Sequence, residues 1–264
     1  MMKLTKMISL MLLITLSACV REDAEPIHRN NTGLLYQVKF SSELYFEYTY
    51  NDLNQITEEK TKFRYTKHNY HNGKLTSSDF YMDSRILSSS SHVLQSAMNR
   101  TEWVNPSNTE KDNTKLYYHD NNGKIVKSED HRGASEYSYD EKGRINRQTF
   151  FRENVRTGYK DYLYDNNDNL IKMLHYWSSG NEHAELQTTT AYEFDDKINP
   201  FKVFSDLMIP GRYTNSNNIV KETYTRHFEV DQSIENPQIT ENSYQYNSLG
   251  IPISKNDSEI YIYY

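Results

Sequence analysis

The sequence holds one cysteine, nine glycines, six prolines and two tryptophans in 264 residues. A single cysteine excludes an internal disulfide, a Cys-x-x-Cys redox pair and a thiolate zinc site. Glycine never clusters into a phosphate-cradling loop, and no Gly-x-Ser-x-Gly elbow presents a nucleophilic serine. Lys and Arg are nowhere massed, and acids outnumber them 36 to 30. That balance disfavours nucleic acid, whose binding depends on clustered cations that displace phosphate counterions. Leu, Ile and Val are thinly spread, so the chain cannot build a thick aliphatic core.

The longest apolar run is Met7-Ile8-Ser9-Leu10-Met11-Leu12-Leu13-Ile14-Thr15-Leu16. It is shorter than the ~20 residues a spanning helix requires. Lys3 and Lys6 precede it and the small residues Ser17 and Ala18 follow, the layout of a secretory signal. Leu16-Ser17-Ala18-Cys19 resembles the lipobox of bacterial lipoproteins, which implies cleavage after residue 18 and acylation of Cys19. Two or more acyl chains hold a protein stably at a membrane, each buried CH₂ contributing ~0.8 kcal/mol. Residues 1–18 are thus read as a lipoprotein signal peptide and 19–33 as a lipidated polar tether. Losing two lysines and no acid, the mature chain moves from a formal charge of −6 to −8. Val20 follows the cysteine where an aspartate is associated with inner-membrane retention. The acidic stretch through Glu22, Asp23 and Glu25 resembles the export signal of surface lipoproteins. Both features imply the outer membrane, with display at the cell surface.

Against these scarcities stand 23 tyrosines, and they fall in an imperfect repeat. Tyr117-Tyr118-His119-Asp120-Asn121-Asn122-Gly123-Lys124-Ile125, Tyr137-Ser138-Tyr139-Asp140-Glu141-Lys142-Gly143-Arg144-Ile145 and Tyr162-Leu163-Tyr164-Asp165-Asn166-Asn167-Asp168-Asn169-Leu170 are its clearest copies. Weaker ones start at Tyr48, Tyr70, Tyr192 and Tyr244. Aromatics at i and i+2 share one strand face. Asp-x-x-Gly then closes a tight turn, with Asn or Asp tolerating the left-handed position where glycine is missing. A basic and an aliphatic residue open the returning strand. The unit is a β-hairpin, repeated about seven times. Further alternation runs through Leu34, Tyr36, Val38 and Phe40, through Leu44, Phe46, Tyr48 and Tyr50, and through Tyr224, Phe228 and Val230, while Glu259–Tyr264 reads as a last strand. Only His92–Met98 suggests a helical turn or two.

The expected fold is all-β: residues 34–264 form a single antiparallel hairpin meander, curled into a curved sheet or partial barrel. Irregular insertions near 85–114 and 196–218 interrupt it, expected as loops or short helical excursions at one rim. The Tyr-x-Tyr-Asp-x-x-Gly-Arg-Ile pattern resembles the YD repeat of Rhs-type proteins. The lipobox, these hairpins and the segment Tyr192-Glu193-Phe194-Asp195-Asp196-Lys197-Ile198-Asn199-Pro200-Phe201 followed by Asn217-Asn218-Ile219-Val220 together resemble envelope lipoproteins of Bacteroides-like Gram-negative bacteria with a porin-like β-fold. The resemblance implies a curved sheet and carries no activity.

Chemistry is sparse. The nine histidines, at 28, 68, 71, 92, 119, 131, 175, 183 and 227, lack zinc-site spacing. His68 and His71 would face opposite sides of a strand. The Asp-Asn-rich turns lack the alternating ligands and terminal glutamate of a calcium loop. Glu129-Asp130 and Asp195-Asp196 are adjacent and so splayed apart, unlike a glycosidase pair drawn from separated positions. No catalytic, cofactor or metal residue is assigned, and Cys19 alone carries nameable chemistry. Trp103, Tyr176 and Trp177 join the tyrosines as surfaces on which a sugar ring could stack, or as cross-strand packing. The leading expectation is a non-enzymatic binding or scaffold module for a glycan, peptide or partner protein. A lipophilic-ligand carrier or envelope-assembly factor comes second, and a hydrolase assembled from distant loops third. A carrier would need a continuous aliphatic inner lining.

Overall fold

Alternating, tyrosine-rich segments punctuated by Asx turns fold as strands, because every second side chain then meets one shared interior. The computed structural model describes residues 33–41, 43–84, 104–178, 183–228 and 236–264. Within them run β1 (Leu35–Phe40), β2 (Glu43–Tyr50), β3 (Ile56–Lys60), β4 (Arg64–His71), β5 (Lys74–Asp83), β6 (Thr109–His119), β7 (Ile125–Asp130), β8 (Gly133–Tyr139) and β9 (Ile145–Arg152). They continue as β10 (Val155–Tyr164), β11 (Leu170–Trp177), β12 (Glu185–Ile198), β13 (Asn217–Arg226), β14 (Gln238–Glu241), β15 (Tyr244–Tyr246), β16 (Pro252–Lys255) and β17 (Glu259–Tyr263). All 17 belong to one antiparallel sheet.

Successive strands pair from β1 to β14 and again from β15 to β17, and β17 returns to β1, setting Val38 opposite Tyr261. The ladder does not close. Its interruption lies between β14 and β15, where the Asn242 N–H donates to the Val220 carbonyl at 2.8 Å while the Ser243 carbonyl accepts from Asn256 at 2.9 Å. The chain changes partner there, and the result is a curved meander rather than an unbroken cylinder.

The repeat acts as read. Asp140 accepts the Gly143 N–H through its carbonyl at 2.9 Å and the Arg144 N–H through Oδ1 at 2.9 Å. Asn51, Asp120, Asp165 and Asn247 bond their own turns in the same way. Where glycine is missing, Asn54 and Asp168 adopt φ of 60° and 66°. Each turn is entered through a bulge, so that Tyr139 opposes Ile145 and Tyr164 opposes Leu170. Neighbouring units are then tied together. The second tyrosine donates its hydroxyl to the carbonyl that opens the preceding return strand: Tyr164 to Ile145 at 2.8 Å, Tyr50 to Leu35 at 2.6 Å and, likewise, Tyr139 to Ile125. In two central units the basic residue after the turn stacks on the next unit's tyrosine, Lys124 4.8 Å from the Tyr139 ring and Arg144 4.6 Å from that of Tyr164.

Two readings shift. In β1 the buried residues are Leu35 and Val38, because a bulge between Leu35 and Gln37 against β17 breaks the Leu34–Phe40 alternation and leaves Phe40 half-exposed. The 196–218 break begins as the end of β12, then forms a 3₁₀ segment, Pro200–Leu207, and turns inward instead of lying along a rim. Phe201, Phe204 and Leu207, spaced by three as this tighter helix requires, are buried against Tyr48 of β2, Tyr261 of β17 and Tyr213. Asn199 holds the segment closed, accepting from Phe201 N–H at 3.0 Å and donating to the Arg212 and Asn215 carbonyls. Of the 85–114 break, β6 occupies 109 onward; residues 85–103, including His92–Met98 and Trp103, lie outside the described residues.

Candidate functional site

The inward segment fills one side of the sheet's interior and leaves a cavity of ≈ 490 Å³ on the other. One wall comes from alternate positions of β3 to β13: Tyr117, Tyr137, Tyr162 and Tyr192, with His68, Lys115, Gln148, Lys160 and Glu222 among them; residues 207–213, with Met208, Ile209 and Pro210, form another. The tyrosine hydroxyls are held in place, Tyr137 against Ser128 Oγ at 2.8 Å and Tyr162 donating to Gln148 Oε1 at 3.0 Å. Burial pushes their pKa values up, that of Tyr117 to about 12, so all act as neutral phenols.

His68 is nearly buried, its Nδ1 2.8 Å from Ser78 Oγ, which in turn lies 3.2 Å from the Tyr117 hydroxyl. Burial lowers its pKa to about 4 and keeps it neutral. The pair has the separation of a base and its nucleophile, yet Ser78 is fully buried and offers no face to a substrate. Burial likewise lowers the amines of Lys115 and Lys160. At the inward segment, Arg212 lies 4.8 Å from the Phe201 ring and 5.4 Å from those of Phe46 and Tyr213, and its charge opposes the upward push that burial exerts on the Glu59 carboxyl.

The remaining sequence candidates are dispersed. His71 ends β4 exposed, His119 stands where a second tyrosine would, His131 bonds Asn113 at 2.8 Å, and His227 bonds Thr189 at 2.8 Å. No three metal-ligating side chains converge among the described residues. Glu129 and Asp130 diverge, the first bonded to Tyr118 and Lys127 outside, the second to Asn113. Asp195 bonds Asn218 and Tyr246, while Asp196 is exposed beside Lys197. Cys19 lies outside the described residues. Lys115, Gln148, Lys160 and Glu59 were not singled out by sequence. Their signal was position: Lys115 and Lys160 each stand two residues before a repeat tyrosine and so must share its face.

No protein-family model matches the chain, and no curated protein is similar to it. Among solved structures, a porin-like protein from Bacteroides uniformis is 11% identical over 80% of each chain with a TM-score of 0.44. Another, from Bacteroides vulgatus, is 8% identical over 88% of this chain and 99% of its own, with a TM-score of 0.40. The Tc holotoxin pore of Photorhabdus luminescens is 16% identical over 81% of this chain with a TM-score of 0.32, and the chain spans 11% of that protein's length. The likeness concerns architecture alone.

The outward face departs from that of a membrane-spanning wall. A transmembrane barrel presents an apolar band ~25 Å tall, in which a mid-depth Lys or Arg costs ~2–4 kcal/mol. Here cross-strand ion pairs stud that face: Lys60–Glu47 at 3.3 Å, Lys111–Asp79 at 2.6 Å, Arg147–Asp161 at 2.8 Å through Nη2, and Lys221–Glu193 at 2.9 Å. Arg147 also stacks 4.2 Å from Tyr159, whose ring lies on Tyr176 at 4.5 Å. These outer aromatics are cross-strand packing.

Proposed function

We propose that the protein is a non-enzymatic envelope lipoprotein, held at the outer membrane by acylated Cys19, whose interior cavity binds a glycan. The leader ending in Leu16-Ser17-Ala18-Cys19 supports the anchor. The charged outer face supports attachment through acyl chains instead of strands. The observation that carries the ligand reading is the ≈ 490 Å³ cavity, in which four tyrosines alternate with Gln148, His68 and two lysines. Sugar rings offer apolar faces to aromatics and hydroxyls to mixed donors and acceptors, and this wall supplies both. A lipophilic carrier is the weaker reading, because Lys115, Lys160 and Glu222 interrupt any apolar lining.

Two experiments test the halves separately. Cys19→Ser should abolish incorporation of labelled fatty acid and release the protein from the membrane fraction; unchanged attachment refutes the anchor. Detergent-solubilised protein on a glycan array should retain glycans and lose them on Tyr192→Ala, a half-buried wall residue. Retention of fatty acids with no glycan bound would establish the carrier instead.

A further inference from the structure

The two luminal lysines differ from the other cations of the fold. Lys60, Lys111, Lys127 and Lys221 each meet a carboxylate within 3.3 Å on the outer face. Lys115 and Lys160 face inward, and among the described residues neither forms an ion pair or hydrogen bond. Each has only a distant ring, Tyr117 at 5.6 Å and Phe150 at 5.9 Å. The carboxylate nearest in influence to Lys115 is Asp130, which is already engaged by Asn113 at 3.0 Å and by the Arg132 N–H at 2.7 Å. Partly desolvated ammonium groups without a counter-charge are unfavourable unless something else supplies one. Here they persist in a chain with an excess of acids.

Their placement is directional. Lys115 lines both the main cavity and a second one of ≈ 480 Å³, which holds Arg132, Arg152, Phe150 and the largely exposed Trp177. Those residues stand at the rim opposite the Asp-x-x-Gly turns, at the β7–β8 and β9–β10 hairpins and the end of β11. Glu129 and Asp130 line that second cavity too, but Glu129 is bonded to Lys127 and Asp130 to Asn113 and Arg132, so Lys115 and Arg152, with Phe150 and Trp177, are what leads from the rim toward the Lys160 wall. The main cavity's acids lie elsewhere, Glu59 on β3 under the influence of Arg212 and Glu222 on β13 beside Tyr192.

We propose that the ligand of this cavity is an acidic glycan, entering past Arg152 and Trp177, with carboxylate or sulfate groups on Lys115 and Lys160 and sugar rings against the half-buried Tyr117 and Tyr192. The assignment rests on the glycan reading above and sharpens it. The lysines supply charge-assisted hydrogen bonds that a neutral sugar cannot match.

Calorimetric titration of the detergent-solubilised full chain with a galacturonate oligosaccharide, a sulfated chondroitin oligosaccharide and a neutral cello-oligosaccharide tests it. Either or both acidic probes should bind, more weakly as salt rises, and which of them binds distinguishes carboxylate from sulfate. Lys115→Gln and Lys160→Gln should each weaken that binding about tenfold or more, with Arg at either site restoring much of it. Both Gln variants should melt no lower than the parent, since neither loses a partner, which separates lost binding from lost folding. Binding of the neutral probe alone, indifferent to both substitutions, overturns the anionic assignment and leaves the glycan reading intact. Binding of no glycan overturns both.

Discussion

Acidification should weaken this fold through His68, and the size of the effect follows from its site. His68 is 7% exposed, bonded through Nδ1 to the buried Ser78, and its folded pKa lies at about 4 against ~6.5 unfolded. A histidine with a depressed folded pKa leaves the unfolded chain binding more protons between those two values, so stability falls as pH drops from about 6.5 toward 4. Between pH 7 and pH 5 the loss is about 2 kcal/mol, order-of-magnitude, worth ~4–8 °C in Tm for a domain of this size. Glu59 acts in the opposite sense, because burial raises its carboxyl and folding then favours its protonated form as pH falls. The parent alone therefore blurs the effect, and the comparison with His68→Gln isolates it. Urea melts at pH 7, 6 and 5 should give the Gln variant the shallower decline, by about 2 kcal/mol over the range. Parallel declines would refute the burial argument for His68.

Three further substitutions probe the architecture. Phe204→Ala removes a fully buried ring packed 4.6 Å from Tyr48, and should cost ~3–5 kcal/mol in urea unfolding; a loss below about 1 kcal/mol would mean that the inward segment is not core. Gly158→Ala places a Cβ 2.3 Å from the Tyr176 carbonyl oxygen at a φ of 155°, so a loss of more than about 2 kcal/mol is expected by the same measurement, and a neutral result would refute that close approach. Arg144→Ala deletes the link to Asp168 at 2.8 Å and to the Asp165 carbonyl, for a loss of ~1–2 kcal/mol, whereas Lys142→Ala, whose ion pair with Asp168 is exposed at 4.0 Å, should change stability by less than ~0.5 kcal/mol; equal effects would remove the inter-turn link as a reason for the repeat.

How much the sequence disclosed tracks how local each cause is. An Asx side chain that bonds its own turn acts within five residues, so Asp120, Asp140 and Asp165 were readable directly, as was the left-handed role of Asp168. The i, i+2 tyrosines were readable as one face, because strand alternation is local too. The bulge at Leu35 depends on pairing with β17, more than two hundred residues away in the chain, and no local pattern encodes it. The inward course of Pro200–Leu207 had a local trace, the three-residue spacing of Phe201, Phe204 and Leu207, yet its destination depended on the space left by Tyr48, Ile56 and Tyr261. The cavity was hidden for the same reason: Lys115 and Lys160 converge only after four intervening strand pairings are made.

That convergence suggests how such a repeat can carry a site without disturbing its frame. In the central units the second tyrosine and the basic residue after the turn are engaged with neighbouring units, as Tyr164 and Arg144 show, while the turn Asx bonds within its own turn, as Asp140 does. Alternation aims the residue two places before the first tyrosine at the same interior, and in the units of Lys115 and Lys160 that side chain is tied to no neighbour among the described residues. That residue is Phe46 in the unit beside the inward segment, where it joins the packed cluster around Phe204. It is Lys115, Ser135, Lys160 and Thr190 along the wall that segment leaves open. Exchanging Lys115 or Lys160 should therefore alter what the cavity holds while the hairpin frame stands, whereas exchanging Phe46 should be felt first in stability.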